Sequence, residues 1–351
     1  MKVLVLTKEL SAKHGWGRYS RDLITALQST GDEVAQFEDL LPRYFNYFCN
    51  YFLAPFYAWR LFKYTKDFDV IHAFIEPYAY IAYWLSKLSG KPYYVTIHGT
   101  YGVLPYTSFY KKFFHKKALT EARALICISE YTKERMNKFN LSNLSVIHNG
   151  IYFNNFYTAT PILNRKPSNI ISVGMLKYRK GQHIAIEAFA RVREIHKEAK
   201  YCIVGDPDDK EYTKSLHKLV FDLSLGDSVT FLDHISNEEL FTLYQEATLF
   251  VLTPTNYGSN FEGFGLVYLE ANASGLPVIG TFGSGAENAV INEKTGILVP
   301  QEDVAQTAQA ILRILKDKEL WENLSLQGVA WARTHDWSNI VKQYKALYEK
   351  R

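Results

Sequence analysis

Glu262 and Glu270, with Gly263-Phe264-Gly265 between them, are the residues of this chain whose types and spacing best fit chemistry. An apolar run from Thr248 to Leu252 reads as a buried strand, and a polar loop with glycines follows it. Helical spacing begins near Gly265 and stops at Gly275 and Pro277. A Gly-rich turn opening a helix offers free backbone N–H groups and the positive end of a helix dipole, which suit phosphate. Carboxylates repel phosphate and accept hydroxyl hydrogen bonds instead. A sugar on one side of a diphosphate and a ribose on the other would satisfy both glutamates, which is the outline of a nucleotide-sugar. Two glutamates eight apart are also common as solvated surface groups, and Gly-Phe-Gly as an ordinary turn.

Three further loops add candidate groups. His14-Gly15-Trp16-Gly17-Arg18-Tyr19 follows the first strand and opens a helix, and its glycines would let backbone approach a ligand. It lacks the third glycine of the dinucleotide fingerprint. Ser172-Val-Gly174-Met-Leu-Lys177-Tyr-Arg179-Lys180-Gly181 places two adjacent cations where they could neutralise a diphosphate, or simply form a solvated basic turn. His98-Gly99-Thr100 ends the apolar strand Tyr93–Ile97, a better position for a functional histidine than most.

The elements that must hold these loops alternate strand and helix twice over. Strands are expected at Lys2–Leu6, Val34–Phe37, Val70–Phe74, Tyr93–Ile97, Ala124–Ile128 and Ser145–Ile147. A second set is expected at Ile170–Val173, Ala199–Val204, Val229–Phe231, Thr248–Leu252, Pro277–Ile279 and Gly296–Val299. Buried runs alternating with amphipathic helices argue for α/β architecture with parallel sheets covered on both faces. The linker-like residues Tyr157–Ser168 divide the chain into two Rossmann-like domains facing a central cleft, residues 1–160 and 165–335. Ligands of such sheets sit beyond the carboxyl ends of the strands, where the candidate loops all fall.

Composition agrees with a globular chain. Its 351 residues are 47% apolar, and a net charge of +4 is too small to argue for nucleic acid. Cys49, Cys127 and Cys202 are far apart and read as core residues of a reducing compartment, with neither a disulfide framework nor a zinc site suggested. The first residues, Met1 to Thr7, read as a strand, and no run of roughly 18 apolar residues marks a membrane span.

The ordered landmarks resemble the GT4 family of glycosyltransferases. They are Gly15-Trp-Gly17-Arg-Tyr, Thr96-Ile-His98-Gly99, Ile128-Ser129-Glu, Val146-Ile-His-Asn149-Gly150, Val173-Gly174, Lys180-Gly181, Val204-Gly205, Glu262-x7-Glu270 and Thr295-Gly296-Ile-Leu-Val. The resemblance implies the GT-B fold, with a final helix at 336–351 crossing back onto the N-terminal domain. It implies a retaining transferase moving a hexose from a nucleotide-sugar, UDP-linked by default, to a glycan or lipid-linked acceptor in polysaccharide or envelope-glycan assembly. Glu262 would hold hydroxyls of the transferred sugar, and the amides of Phe264, Gly265 and Leu266 the sugar and phosphate. Glu270 would bind the ribose, and Arg179 and Lys180 the leaving diphosphate. Gly15 and Gly17 would approach that diphosphate, Gly174 would join the donor site, and His98 would contact the sugar near the reacting carbon. The family pattern has paired glycines where this chain has His14-Gly15, and Gly-Gly-x-Pro-Glu where it has Gly283-Ser-Gly-Ala-Glu287.

No cofactor and no metal are expected. Asp206-Pro-Asp208-Asp209 has Asp-x-Asp spacing that could hold a divalent ion, but acidic turns of this kind are commonly solvated. The acceptor side rests on two aromatic and basic segments. Residues 43–64 are rich in Tyr, Phe and Trp, with Tyr44, Tyr47, Phe48, Tyr51 and Phe52 at helical spacing. Phe109 to Lys117 carries Lys111, Lys112, Lys116 and Lys117 and no acid. Such surfaces suit an anionic bilayer, so a cytoplasmic protein bound to the inner membrane face is expected; packing against the protein's own sheet is the competing reading. Aromatic and lysine surfaces also suit single-stranded nucleic acid, which nothing else here supports. An epimerase or a phosphorylase on the same fold, and a silent sugar-nucleotide-binding protein, stay open beside the transferase. No lysine is marked for the pyridoxal phosphate a phosphorylase would use.

Overall fold

The structure is a computed structural model describing residues 1–11, 15–38, 47–103, 109–157 and 168–350, with backbone alone at 47–51 and 109–112. Contacts divide the chain into two units, Met1–Gly150 with Trp337–Arg351, and Ile151–Asp336. The linker-like residues 158–167 lie outside the described residues.

The first unit holds six strands, β1 (Lys2–Thr7), β2 (Glu33–Glu38), β3 (Val70–Ala73), β4 (Tyr93–Ile97), β5 (Ala124–Cys127) and β6 (Leu144–Val146). All pairings are parallel and the order is β2-β1-β3-β4-β5-β6. The central strands β3, β4 and β5 are buried along their whole length, as apolar runs covered on both faces must be. Two successive strands in chain order, β2 and β3, lie on opposite sides of β1, so the order reverses between β1 and β3. The loops after those two strands therefore splay apart, and the resulting crevice is where open α/β sheets bind ligands.

The second unit repeats the plan with β7 (Asn169–Val173), β8 (Lys200–Val204), β9 (Val229–Leu232), β10 (Leu249–Val251), β11 (Val278–Thr281) and β12 (Gly296–Val299). The order is β12-β11-β10-β7-β8-β9, again all parallel, and the reversal falls between β7 and β10. Each unit has its own apolar core. Helix starts are set locally: Asp209, Ser236, Asp303 and Asp317 each accept a first-turn N–H with the side chain, and Ser236 with Glu239 forms a capping box.

The last helix, Trp337–Glu349, belongs to the first unit. Trp337 packs so closely on Gly150 that a Cβ there would lie 2.6 Å from its ring. Tyr344 and Tyr348 tie the helix to the sheet through buried polar contacts. The Tyr19 hydroxyl lies 2.9 Å from that of Tyr344 and 2.8 Å from Thr96 Oγ1. His72 bridges Tyr348 and Thr96 at 2.5 and 2.9 Å. No described helix is long and apolar enough to cross a membrane.

Candidate functional site

In the second unit the loops after β7 and β10 bring together the two cations and one of the glutamates. The chain leaves β7 at Gly174 and forms a 3-10 turn, Tyr178–Lys180, closed by Gly181 at φ +69°. A Cβ on Gly181 would lie 1.8 Å from the Thr253 carbonyl oxygen, so only glycine fits. Thr253 Oγ1 donates to the Gly181 carbonyl at 2.8 Å, and the Thr255 amide donates to the Arg179 carbonyl at 2.9 Å. These bonds lock the cationic turn to the loop that carries Glu262.

Lys180 Nζ lies 2.5 Å and Arg179 Nη1 2.9 Å from the same oxygen, Glu262 Oε2. Glu262 is 8% exposed. Burial works to raise its pKa, but the Lys180 and Arg179 charges override it and hold the group at about 2. Burial pulls the Lys180 ammonium below the ordinary lysine value despite its partner. Two cations share one anion, so the cluster carries an excess positive charge at the crevice of the sheet.

The Gly-Phe-Gly turn is built for close packing. The Gly285 amide donates to the Glu262 carbonyl at 2.8 Å, and a Cβ on Gly285 would come within 2.2 Å of Gly263. Gly265 sits at φ +87° with Tyr268 beneath it, and Leu266 opens the helix Leu266–Ala273. The first turn of a helix leaves its N–H groups without intrahelical acceptors, and here that turn opens from the loop that carries Glu262. Phe264 is buried. Glu270, buried on the helix, accepts the Tyr244 hydroxyl at 3.3 Å.

Two expected donor glycines have structural partners. The Gly174 amide donates to the Val204 carbonyl at 2.8 Å. A Cβ on Gly17 would lie 2.2 Å from the Ser11 carbonyl oxygen, so the chain's own loop demands that glycine, whereas a Cβ on Gly15 would meet nothing within 4 Å among the described residues. His14 lies outside the described residues.

In the first unit His98 is partly buried at the end of β4. Its Nε2 lies 2.8 Å from the Phe74 carbonyl oxygen and its ring meets the edge of Tyr19 at 4.7 Å between centroids. Burial pulls its pKa down to about 4. Sequence reasoning missed Glu76, which receives the backbone N–H groups of both His98 and Gly99. The available signal was an acid closing an apolar strand, immediately before Pro77 and at the sheet reversal.

The acidic turn is committed elsewhere. Asp206 accepts the His234 amide at 3.0 Å, Asp208 pairs with Lys177 at 2.9 Å, and Asp209 caps the helix Lys210–Asp222. Among the described residues no group of three or more His, Cys, Asp or Glu could hold a metal ion. Cys127 and Cys202 are free thiols.

The aromatic segments form helices, Tyr47–Phe62 and Phe109–Thr120, that pack on each other and on the helix Ala79–Ser89. Phe52, Phe56, Trp59 and Phe113 are more than half exposed, and Phe114, Arg60, Lys63, Lys116 and Lys117 are exposed with them. Ala54, Ala58 and Leu61 form the buried face of the first helix, while Phe52, Phe56 and Trp59 face outward. Tyr44 lies outside the described residues, as do the side chains of Tyr47, Phe48, Tyr51, Lys111 and Lys112.

Two family models match the chain, Glycosyltransferase Family 4 over residues 14–154 and Glycosyl transferases group 1 over residues 157–331. A D-inositol 3-phosphate glycosyltransferase of Corynebacterium urealyticum is 33% identical over 180 residues, 50% of this chain and 41% of that protein. A glycogen synthase of Mycobacterium tuberculosis is 29% identical over 261 residues, 71% of this chain and 60% of that protein. The chain thus spans about half the length of these relatives. HepE of Anabaena, solved with UDP and glucose, superposes with a TM-score of 0.80 at 20% identity, covering 100% of both chains, which is a likeness of fold.

Proposed function

The chain belongs to glycosyltransferase family 4 and has the GT-B fold, and from that premise we propose that it transfers a sugar from a nucleotide-sugar to a glycan or lipid-linked acceptor. The observation that carries this reading is the convergence of Arg179 and Lys180 on Glu262 at the β7/β10 crevice, beside the Gly-Phe-Gly turn.

Breaking a bond between a sugar and a diphosphate moves negative charge onto the leaving phosphate. Groups that stabilise that charge in place, without reorganising, speed the step. Arg179 offers a planar fork and Lys180 a point charge, and the amides of Phe264, Gly265 and Leu266 supply neutral donors beside them. The diphosphate takes the place Glu262 holds against both cations, which releases the carboxylate to hydroxyls of the transferred sugar. Glu270 takes the ribose, with Gly15 as a point of backbone approach. His98 offers a neutral ring to the sugar. No side chain here is placed as a nucleophile, and we assign front-face attack with retention of the anomeric configuration. The donor is assigned as a UDP-hexose, in keeping with the UDP and glucose found in HepE. Countercharge comes from Arg179 and Lys180, so no metal is assigned, and activity is expected to survive EDTA.

The acceptor side is assigned to the outward rings and lysines of Tyr47–Phe62 and Phe109–Thr120, which match the headgroup layer of an anionic bilayer on the cytoplasmic side. No acid occurs between Arg43 and Lys66 or between Phe109 and Thr120. Binding to anionic vesicles at low salt, lost at high salt, is the expected result; no binding to them ends this part of the proposal.

Turnover tests the reaction. Incubation with UDP-glucose and a glycan or lipid-linked acceptor is expected to release UDP and leave the new linkage with the donor's anomeric configuration. Conversion of the nucleotide-sugar with no acceptor present would make the protein an epimerase instead.

A further inference from the structure

We propose that Glu76 is a positioning residue for His98, fixing its backbone and, through the neighbouring residue Phe74, its ring tautomer. The inference rests on the reading of His98 as a donor-sugar contact.

Glu76 follows β3 and opens a 3-10 turn, Glu76–Tyr78, at the point where the strand order of the first unit reverses. It is fully buried. A single oxygen, Oε1, accepts the His98 N–H at 2.8 Å and the Gly99 N–H at 3.1 Å. Two successive amides pointing at one atom form an anion nest, and a carboxylate is the strongest acceptor a side chain can put there. Gly99 holds φ at +141°, a backbone state that other residues rarely adopt, so the nest depends on that glycine.

The same segment holds the ring. His98 Nε2 sits 2.8 Å from the Phe74 carbonyl, two residues before Glu76. A carbonyl oxygen can only accept, so Nε2 carries the proton and Nδ1 of the neutral imidazole keeps its lone pair. Tyr19 closes the ring's side. His98 is therefore held in position, rotamer and tautomer from residues 74–76, and it presents an acceptor, Nδ1, to a sugar hydroxyl.

A buried carboxylate is costly, and this one is half used: Oε2 has no hydrogen-bond partner among the described residues. Burial pushes its carboxyl up to about 7. A group that merely filled space would be apolar. The arrangement makes sense if two amides must be held in a fixed direction at the place where His98 acts.

The test combines spectroscopy with kinetics on the full chain. Histidine-labelled protein, with the His98 signals assigned by their absence in His98→Ala, is expected to show a protonated Nε2 and a lone-pair Nδ1. Glu76→Ala should scramble that pattern into a mixture of tautomers, and Glu76→Gln, whose amide oxygen accepts the same two N–H groups, should keep it. With UDP-glucose, UDP release should fall at least tenfold in kcat for Glu76→Ala with donor KM changed less than threefold. Glu76→Gln should retain at least a third of wild-type kcat. The Glu76→Ala/His98→Ala double variant should be no slower than His98→Ala alone, because the effect passes through one residue. If Glu76→Ala fails to fold, Glu76→Asp, which keeps the charge and withdraws the acceptor by one methylene, takes its place. An unchanged His98 pattern in that variant, or losses that multiply in the double variant, overturns the proposal. A scrambled pattern together with full turnover in His98→Ala would instead overturn the reading of His98 as a sugar contact.

Discussion

At the crevice of the second sheet the protein keeps three charges in direct contact, Arg179, Lys180 and Glu262. In the first unit the ends of β3 and β4 carry groups that burial turns away from full charge: histidines kept unprotonated, and the Glu76 carboxyl, raised to about 7 and so only partly ionised at neutral pH. One region is ionic and pairs its charges before any ligand arrives. The other is nearly neutral and orients single hydrogen bonds through the backbone. Countercharge suits phosphate, and oriented neutral groups suit hydroxyls. The difference also separates what each region should do when it is damaged.

The largest effect is expected in the ionic region. Lys180→Ala or Arg179→Ala should lower kcat by about two to three orders of magnitude, as losses of transition-state charge stabilisation do, with a smaller change in donor KM. Steady-state kinetics would show it. An equal loss in affinity and no loss in kcat would place the cations in ground-state binding only.

Glu262→Gln should move binding and turnover in opposite directions. Removing its charge frees both cations, so UDP alone should bind tighter, by about tenfold or roughly 1.4 kcal/mol. Turnover should fall in the same variant, since the sugar loses its acceptor. Calorimetry with UDP decides the first part: unchanged or weaker UDP binding would show that Glu262 does not compete with the diphosphate.

Acid should separate the units. The buried His72 and His115 and the partly buried His98 are held at about 3, 4 and 4 in that order, below their ordinary value of 6.5. The unfolded chain then binds more protons than the folded one between about 4 and 6.5, so the stability these groups contribute is present above 6.5 and lost as pH falls through that window. Glu76, raised to about 7, acts in the opposite sense: its contribution falls as pH rises from 4.5 to 7. One carboxyl is outweighed by three histidines. In the second unit Glu262 is held at about 2, so its contribution is complete above 4.5 and is lost only as pH falls from 4.5 toward 2. Hydrogen exchange corrected for intrinsic rates is expected to show the first unit loosening at pH 5 before the second does.

The least change is expected at two glycines in the first turn of the helix Gly15–Ser29. Gly17→Ala should destabilise measurably because its Cβ meets the Ser11 carbonyl, and Gly15→Ala should stay within about 0.5 kcal/mol of the parent in stability. Urea unfolding compares them. If Gly15→Ala raises donor KM without loss of stability, Gly15 is where the backbone approaches the ligand.

The sheets were legible because buried parallel strands are apolar runs with sharp ends: Tyr93–Ile97 and Gly296–Val299 fall where the sequence puts them. Strand ends next to polar turns moved by a residue or two, as at Thr248 and Leu252, which flank the strand Leu249–Val251. Arg179, Lys180 and Glu262 were legible as types, but their convergence on a single oxygen was not. It depends on the sheet order that sets β7 beside β10, a contact across some 80 positions that no local spacing reveals. Glu76 stayed hidden for a related reason. Its partners are two amides at the end of another strand, and backbone N–H groups carry no signature in the sequence.

Recognition of a nucleotide-sugar diphosphate by the ionic region of the second unit is open to a thermal-shift panel. Wild-type protein and the Arg179→Ala/Lys180→Ala double variant are each heated with UDP-, GDP- and ADP-glucose. A ligand bound only by the native state raises Tm in proportion to its occupancy. One nucleotide-sugar, UDP-glucose first, is expected to raise the wild-type Tm by several degrees and the double variant's by much less. No shift with any of the three, or a shift of equal size in both proteins, would contradict it.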